Sequence, residues 1–160
     1  VARIKGYCIG GGLNLALCCD IRIACDNSSF SIPAGKMGLG YRLTAIRNLV
    51  TATGPANALD IFLSARRVAA QEAQRMGLIQ HLATEDTFEQ TVREHLDRIA
   101  ANAPLTLRVG KHMIRRFQDV PSEIDMEKMR DMVLSCFASE DYQEGKQAFA
   151  QKRAPVFKGR

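Results

Sequence analysis

Three consecutive glycines, Gly10-Gly11-Gly12, stand where the apolar run Tyr7-Cys8-Ile9 gives way to Leu13-Asn14-Leu15-Ala16-Leu17. Glycines at a strand-to-helix junction let another atom approach the backbone closely. The first amides of the helix lack an intrahelical acceptor and favour negative charge. Two ligands suit that physics, a phosphate and an oxyanion developing on a carbonyl; close packing of helix on strand explains the glycines as well. Two phosphate motifs are excluded. The dinucleotide fingerprint GxGxxG fails at Leu15, and the phosphate loop GxxxxGK[ST] fails because Met37 follows Gly35-Lys36 and His112 follows Gly110-Lys111. His81, His95 and His112 lack metal-ligand spacing and read as surface or capping residues, so no metal site is expected. No serine sits in a GxSxG elbow, and Cys8, Cys18, Cys19, Cys25 and Cys136 contain no CxxC pair.

A triplet of this kind works only if a strand ends before it and a helix starts on it. The pattern supplies both, with Val1 to Tyr7 reading as a strand already under way and Leu13 to Cys19 as a helix. A chain that opens inside a strand reads as the C-terminal part of a longer protein. Short strands are expected at Ile21–Ala24, Phe30–Ile32 and Leu78–Leu82. Tyr41–Ala52 is expected as a helix with Leu43, Ile46, Leu49 and Val50 on one face, and Gly54-Pro55 starts another. From Thr84 onward everything reads as helix. Thr84 is the expected cap of the first, Pro104 opens a second, Pro121-Ser122 a third, and Ser139 caps the last. The expected division is a mixed α/β core over residues 1–83 and a helical region over residues 84–160.

The whole sequence has 160 residues, 46% of them hydrophobic and 24% charged, which is globular rather than disordered composition. Its longest apolar stretch, Leu13 to Cys19, is interrupted by Asn14 and falls far short of the roughly 20 residues a membrane span requires. The net charge of +5 suits an anionic ligand. The basic residues are scattered apart from Lys152, Arg153, Lys158 and Arg160, and the aromatics do not interleave with them, so nucleic acid is not an expected partner. The odd number of cysteines, two of them adjacent, excludes a disulfide framework and suggests a reduced, cytoplasmic-type compartment, or the mitochondrial matrix in a eukaryote.

The context of the triplet, Gly6-Tyr7-Cys8-Ile9-Gly10-Gly11-Gly12-Leu13-Asn14-Leu15-Ala16-Leu17-Cys18-Cys19-Asp20-Ile21-Arg22-Ile23-Ala24, resembles the signature of the enoyl-CoA hydratase/isomerase (crotonase) superfamily. Three further motifs follow in the family's order. They are Phe30-Ser31-Ile32-Pro33 leading to Met37-Gly38-Leu39-Gly40, then Ala73-Gln74-Arg75-Met76-Gly77-Leu78-Ile79, then Ser139-Glu140-Asp141-Tyr142-Gln143-Glu144-Gly145 with Ala148-Phe149 and Lys152-Arg153-Ala154-Pro155-Val156-Phe157.

The resemblance implies an α/β fold, a crotonase-like ββα superhelix present as a partial core, followed by a helical region that assembles a homotrimer or a hexamer built as a dimer of trimers. It implies an enzyme without a cofactor whose substrate is an acyl-CoA thioester. The enolate-like thioester oxygen would sit between two backbone N–H groups, of which Gly11 supplies the second. It also implies that Phe149 and Lys152, three residues apart on one helix, contact the adenine end of CoA bound to a neighbouring subunit.

Hydratases of the family use two glutamates, and the matching positions here hold Asn14 and Ala34. Neither is a general acid or base at neutral pH. Tyr41 stands where decarboxylating relatives also carry tyrosine, either as part of the site with Gly11 and Asn14 or simply as packing at a helix start. The reaction is left between hydration by another route, isomerisation and decarboxylation of a malonyl-type thioester. A non-catalytic acyl-CoA-binding or assembly module is the rival that turnover distinguishes.

Overall fold

Val1 to Tyr7 does not run as one strand. Gly6 takes φ +76, a backbone conformation that side chains with a Cβ rarely adopt, and the chain corners there. The two resulting strands, β1 (Ala2–Ile4) and β2 (Tyr7–Ile9), lie in different sheets. The computed structural model describes residues 1–37, 39–117 and 123–160, so the expectations for Gly38 and for a helix start at Pro121-Ser122 lie outside the described residues.

After β2 come α1 (Gly11–Cys18), β3 (Arg22–Cys25), β4 (Ser29–Ser31), a 3-10 helix (Pro33–Met37) and α2 (Leu43–Ser64). The next elements are β5 (Val68–Ala69), α3 (Ala70–Arg75), β6 (His81–Ala83) and α4 (Phe88–Ala100). The remainder is α5 (Pro104–Arg116), α6 (Glu123–Phe137) and α7 (Glu140–Gln151). One sheet has the order β1-β3-β6, all parallel; the other has β2-β4-β5, parallel and then antiparallel. Ala2 pairs with Arg22 and Tyr7 with Ser29, so β1-β2-α1 and β3-β4-α2 are successive turns of one ββα superhelix. The chain divides into two compact units, Val1–Arg93 and Glu94–Arg160.

Within the first unit Leu13, Phe30, Ile32, Leu49, Ile61, Val68 and Leu78 are buried in one core cluster, each worth about 1.5–3 kcal/mol of removed apolar surface. Several expected boundaries shift for identifiable reasons. α2 kinks at Gly54 (φ 75, ψ 164) and restarts on Pro55, as the punctuation predicts. Its buried stripe, however, is Ala45, Leu49 and Thr53, whereas Leu43 and Val50 are exposed. Leu78 and Ile79 are buried but not in a strand: both amides donate to Ala73 O, and the Leu78 carbonyl accepts from Arg22 Nε at 2.7 Å. That guanidinium is itself buried, which lowers its pKa, and a second bond to the Cys19 carbonyl ties it to the end of α1. Thr84 does not cap α4. It forms a turn with Thr87, and the helix begins at Phe88, which is buried in a second cluster with Ile23, Cys25, Ala83 and Val92.

In the second unit Pro104 opens α5 and Ser139 caps α7, its Oγ accepting from the Tyr142 amide at 3.1 Å. The acidic residues of the Ser139–Gly145 motif hold the C-terminal tail. Asp141, buried, accepts from the amides of Lys158 (2.7 Å) and Gly159 (2.8 Å). Glu144 makes a two-pronged pair with Arg153 (2.6 and 2.9 Å) and also accepts from the Val156 amide. Arg153, then the Val156 amide, hold the Glu144 carboxyl down to about 2. A depressed carboxylate contributes its stability above its unfolded value and loses it as pH falls towards the folded one. The melting-temperature gap between wild type and Glu144→Gln is therefore expected to be full at pH 6 and to shrink between about pH 4.5 and 2; a gap constant over that range would contradict the assignment.

Candidate active site

The strand-to-helix junction is built by Gly10. Its φ of 54 and ψ of −113 are open to glycine and turn the chain from β2 into α1. Its amide is used up on the Ser31 carbonyl of β4 at 2.9 Å, and its carbonyl accepts from the Asn14 amide at 3.0 Å, the first bond of the helix. The amides that follow, of Gly11, Gly12 and Leu13, are those that helix geometry leaves without an intrahelical acceptor. No acidic residue stands in the first turn of α1 to offset their partial positive charge.

Packing does not demand glycine at 11 or 12. A Cβ built on either would meet nothing within 4 Å. Both residues are exposed, and Gly12 lines an open groove of about 340 Å³ with β1, β2, Leu15 and Ala16. Space in front of unbonded amides fits a bound group better than it fits a tightly packed helix.

α1 buries Leu13, Ala16 and Leu17, and presents Gly11, Asn14, Leu15 and Cys18 at i, i+3, i+4 and i+7 on the opposite side. A helical side chain leans toward the helix N-terminus, so Asn14 leans back over the turn that carries the Gly11 amide. Tyr41, in the loop before α2, reaches this place from another element. Its hydroxyl lies 2.7 Å from Asn14 Oδ1 and 3.4 Å from the Gly10 carbonyl. Its ring meets Phe62 edge-on at 5.6 Å. Burial pushes the Tyr41 phenol up, against a smaller opposing effect of Asn14, so at neutral pH it is a proton donor in a hydrogen bond and not a base. Ala34, the second position at which hydratases carry glutamate, is buried in the 3-10 helix and brings no polar atom.

The structure therefore brings Gly11, Asn14 and Tyr41 together. Tyr41 does more than pack at a helix start. Sequence reasoning missed Gly10, whose carbonyl shares the Tyr41 hydroxyl, and Phe62, which braces its ring; nothing in the local sequence signals the second. Phe149 and Lys152 belong to the other compact unit and are not one helical face. Phe149 is exposed on α7, but Lys152 is the C-cap, with φ 54 and its amide on the Phe149 carbonyl, so the helix ends before it. Of the clustered C-terminal cations, Arg153 pairs with Glu144 and Arg160 with Glu140. Among the described residues no group of three metal-ligating side chains occurs, and no helix is long and apolar enough to cross a membrane.

Comparison with known proteins shows the family and the fold. The family model described as enoyl-CoA hydratase/isomerase matches residues 1–160. The carnitinyl-CoA dehydratase of Salmonella typhi is 34% identical over the whole chain, which spans 63% of that relative's length. Among solved structures, an enoyl-CoA hydratase/carnithine racemase from Magnetospirillum magneticum superposes with a TM-score of 0.90 at 35% identity, over 98% of this chain and 59% of the other. An enoyl-CoA hydratase from Bacillus anthracis gives 0.88 at 29% identity, over 97% and 60%. The mixed α/β architecture is thus the crotonase fold.

Proposed function

Because this chain belongs to the enoyl-CoA hydratase/isomerase family, we propose that it carries part of the site of an enzyme acting on acyl-CoA thioesters through an enolate. The observation that carries the reading is the meeting of three groups at the start of α1: the Gly11 amide, Asn14 and Tyr41. The thioester oxygen accepts from the Gly11 N–H, and charge that develops on it is stabilised by that amide and by the helix terminus. No carboxylate stands at position 14 or 34 to take a proton from water. Of the reactions open to such a site, decarboxylation of a malonyl-type thioester fits best. The bond between the α-carbon and the free carboxylate breaks, carbon dioxide leaves, and the electron pair passes into the thioester enolate, which a solvent proton quenches. This step requires a stabilised enolate and no carboxylate base.

CoA binding and assembly complete the proposal. The exposed Phe149 ring suits stacking on adenine and the Lys152 ammonium suits the nucleotide's phosphates. The exposed Ile114 of α5, Phe117 just after it, and Leu134 and Phe137 of α6 suit contacts between copies in a homotrimer or hexamer. Five free thiols suit a reducing, cytoplasmic setting.

Incubating the full chain with malonyl-CoA and following carbon dioxide and acetyl-CoA tests the reading. Equimolar release of the two, slowed about 10²- to 10³-fold by Gly11→Pro, is the expected result. Binding of malonyl-CoA without any turnover would favour the non-catalytic acyl-CoA-binding module instead.

A further inference from the structure

Asn14 is a poor choice for the interior of an eight-residue helix, where asparagine costs propensity and competes with the backbone. Its side chain is nevertheless held. The 2.7 Å separation between Tyr41 hydroxyl and Asn14 Oδ1 is that of an O–H···O bond, shorter than the 2.9–3.0 Å usual when an amide N–H donates. The tyrosine therefore gives its proton to the carboxamide oxygen. Once Oδ1 is taken, the amide can no longer rotate freely, and its two Nδ2 N–H donors are left for another acceptor; Asn14 stands three residues after Gly11 on the same face of α1. Tyr41 is itself braced by Phe62, which meets its ring edge-on at 5.6 Å.

We infer that Tyr41 is a positioning residue that acts through Asn14, turning its carboxamide so that Nδ2 is offered as a donor to an acceptor oxygen on the acyl group. This rests on the acyl-CoA reading above and deepens it. With Gly11 N–H and Asn14 Nδ2–H2 both donors, the site selects acyl groups that bring acceptors, and a free carboxylate is the strongest of these. Tyr41 touches no reacting atom in this arrangement. Its effect on rate passes entirely through the orientation of Asn14.

The test is a double-mutant cycle in the full chain with Tyr41→Phe, Asn14→Ala and their combination, using malonyl-CoA and, as the thioester without a carboxylate, acetyl-CoA. Tyr41→Phe keeps the ring and its contact with Phe62. Each single variant is expected to lower kcat/KM for malonyl-CoA by about 10- to 100-fold, the range for one hydrogen bond to a charged group. The double variant should be no worse than Asn14→Ala alone. Losses that multiply in the double variant would overturn the inference, since Tyr41 would then act independently of Asn14. Calorimetric binding gives a second reading without turnover. Asn14→Asp keeps the acceptor for Tyr41 but replaces the Nδ2 donor by an anionic oxygen, so affinity for malonyl-CoA should fall at least tenfold more than affinity for acetyl-CoA. Equal losses for the two thioesters would overturn the inference while leaving the acyl-CoA reading intact. Failure of the wild type to bind either thioester would overturn both.

Discussion

Replacing Gly11 by proline is expected to lower kcat with an acyl-CoA substrate by about 10²- to 10³-fold, the usual cost of one oxyanion donor, with little change in melting temperature. The substitution is unusually clean because Gly11 is the first residue of α1. Proline is favoured at that position, where its missing N–H interrupts no helical bond. The residue before a proline must be extended, and Gly10, at φ 54 and ψ −113, lies near the mirror image of the extended region, which glycine alone occupies freely. A Cβ at this position meets nothing within 4 Å. The variant removes the N–H and puts the ring Cδ in its place. A folded Gly11→Pro protein with wild-type kcat would remove Gly11 from the chemistry. Gly11→Ala, which retains the amide, is the control that separates loss of the donor from crowding of the substrate.

How far the sequence reached depends on whether a signal was local. Ser139 caps α7, Pro104 opens α5 and Gly54-Pro55 breaks α2 because capping and backbone restriction act within a few residues of the signal. The corner at Gly6 was missed for the opposite reason. Tyr7 belongs to β2 only because it pairs with Ser29, a partner far along the chain, and a single glycine in an extended segment does not announce a change of sheet. The face of α2 was misjudged likewise. Leu49 is buried as expected, but Leu43 and Val50 are exposed while the smaller Ala45 and Thr53 are buried. Hydrophobicity marks residues able to be buried, whereas close approach of another element selects small ones. Thr84 has every local property of a cap, but burial of Phe88 against Ile23 and Cys25 decides where α4 starts.

The site divides along the same line. Gly11 was legible from the triplet, since strand, glycines and helix are contiguous. Asn14 and Tyr41 were suggested by resemblance to family positions, and their bond spans 27 residues, a separation that no periodicity reveals. Lys152 shows the limit of helical arithmetic. Spacing placed it on the Phe149 face, but the helix ends at Gln151 and Lys152 takes the left-handed cap conformation.

Hydration of crotonyl-CoA is expected to run at least about 10²- to 10⁴-fold more slowly than in relatives that carry both glutamates, the contribution of one positioned acid–base group. The larger product of two such factors is not expected, because groups that act on one water work as a unit and losing the second costs less than losing the first. The matching positions show why the deficit is built in. Asn14 donates but cannot take a proton, and its oxygen is already engaged by Tyr41. Ala34 is buried, only 3% exposed, so a carboxylate there would have to be desolvated as well as added. Restoring one group should therefore restore little: Asn14→Glu gains an acid that Tyr41 can still hydrogen-bond, yet no partner at position 34 shares the water. A steady-state assay of crotonyl-CoA hydration on the wild type, Asn14→Ala and Asn14→Glu separates the possibilities. Efficient hydration by the wild type, at a rate unaffected by Asn14→Ala, would show that the water is handled by groups other than these. Slow hydration in all three, beside rapid loss of carbon dioxide from malonyl-CoA, would mean that the family's oxyanion site has been kept while its proton-transfer pair has been exchanged for an amide held by a phenol.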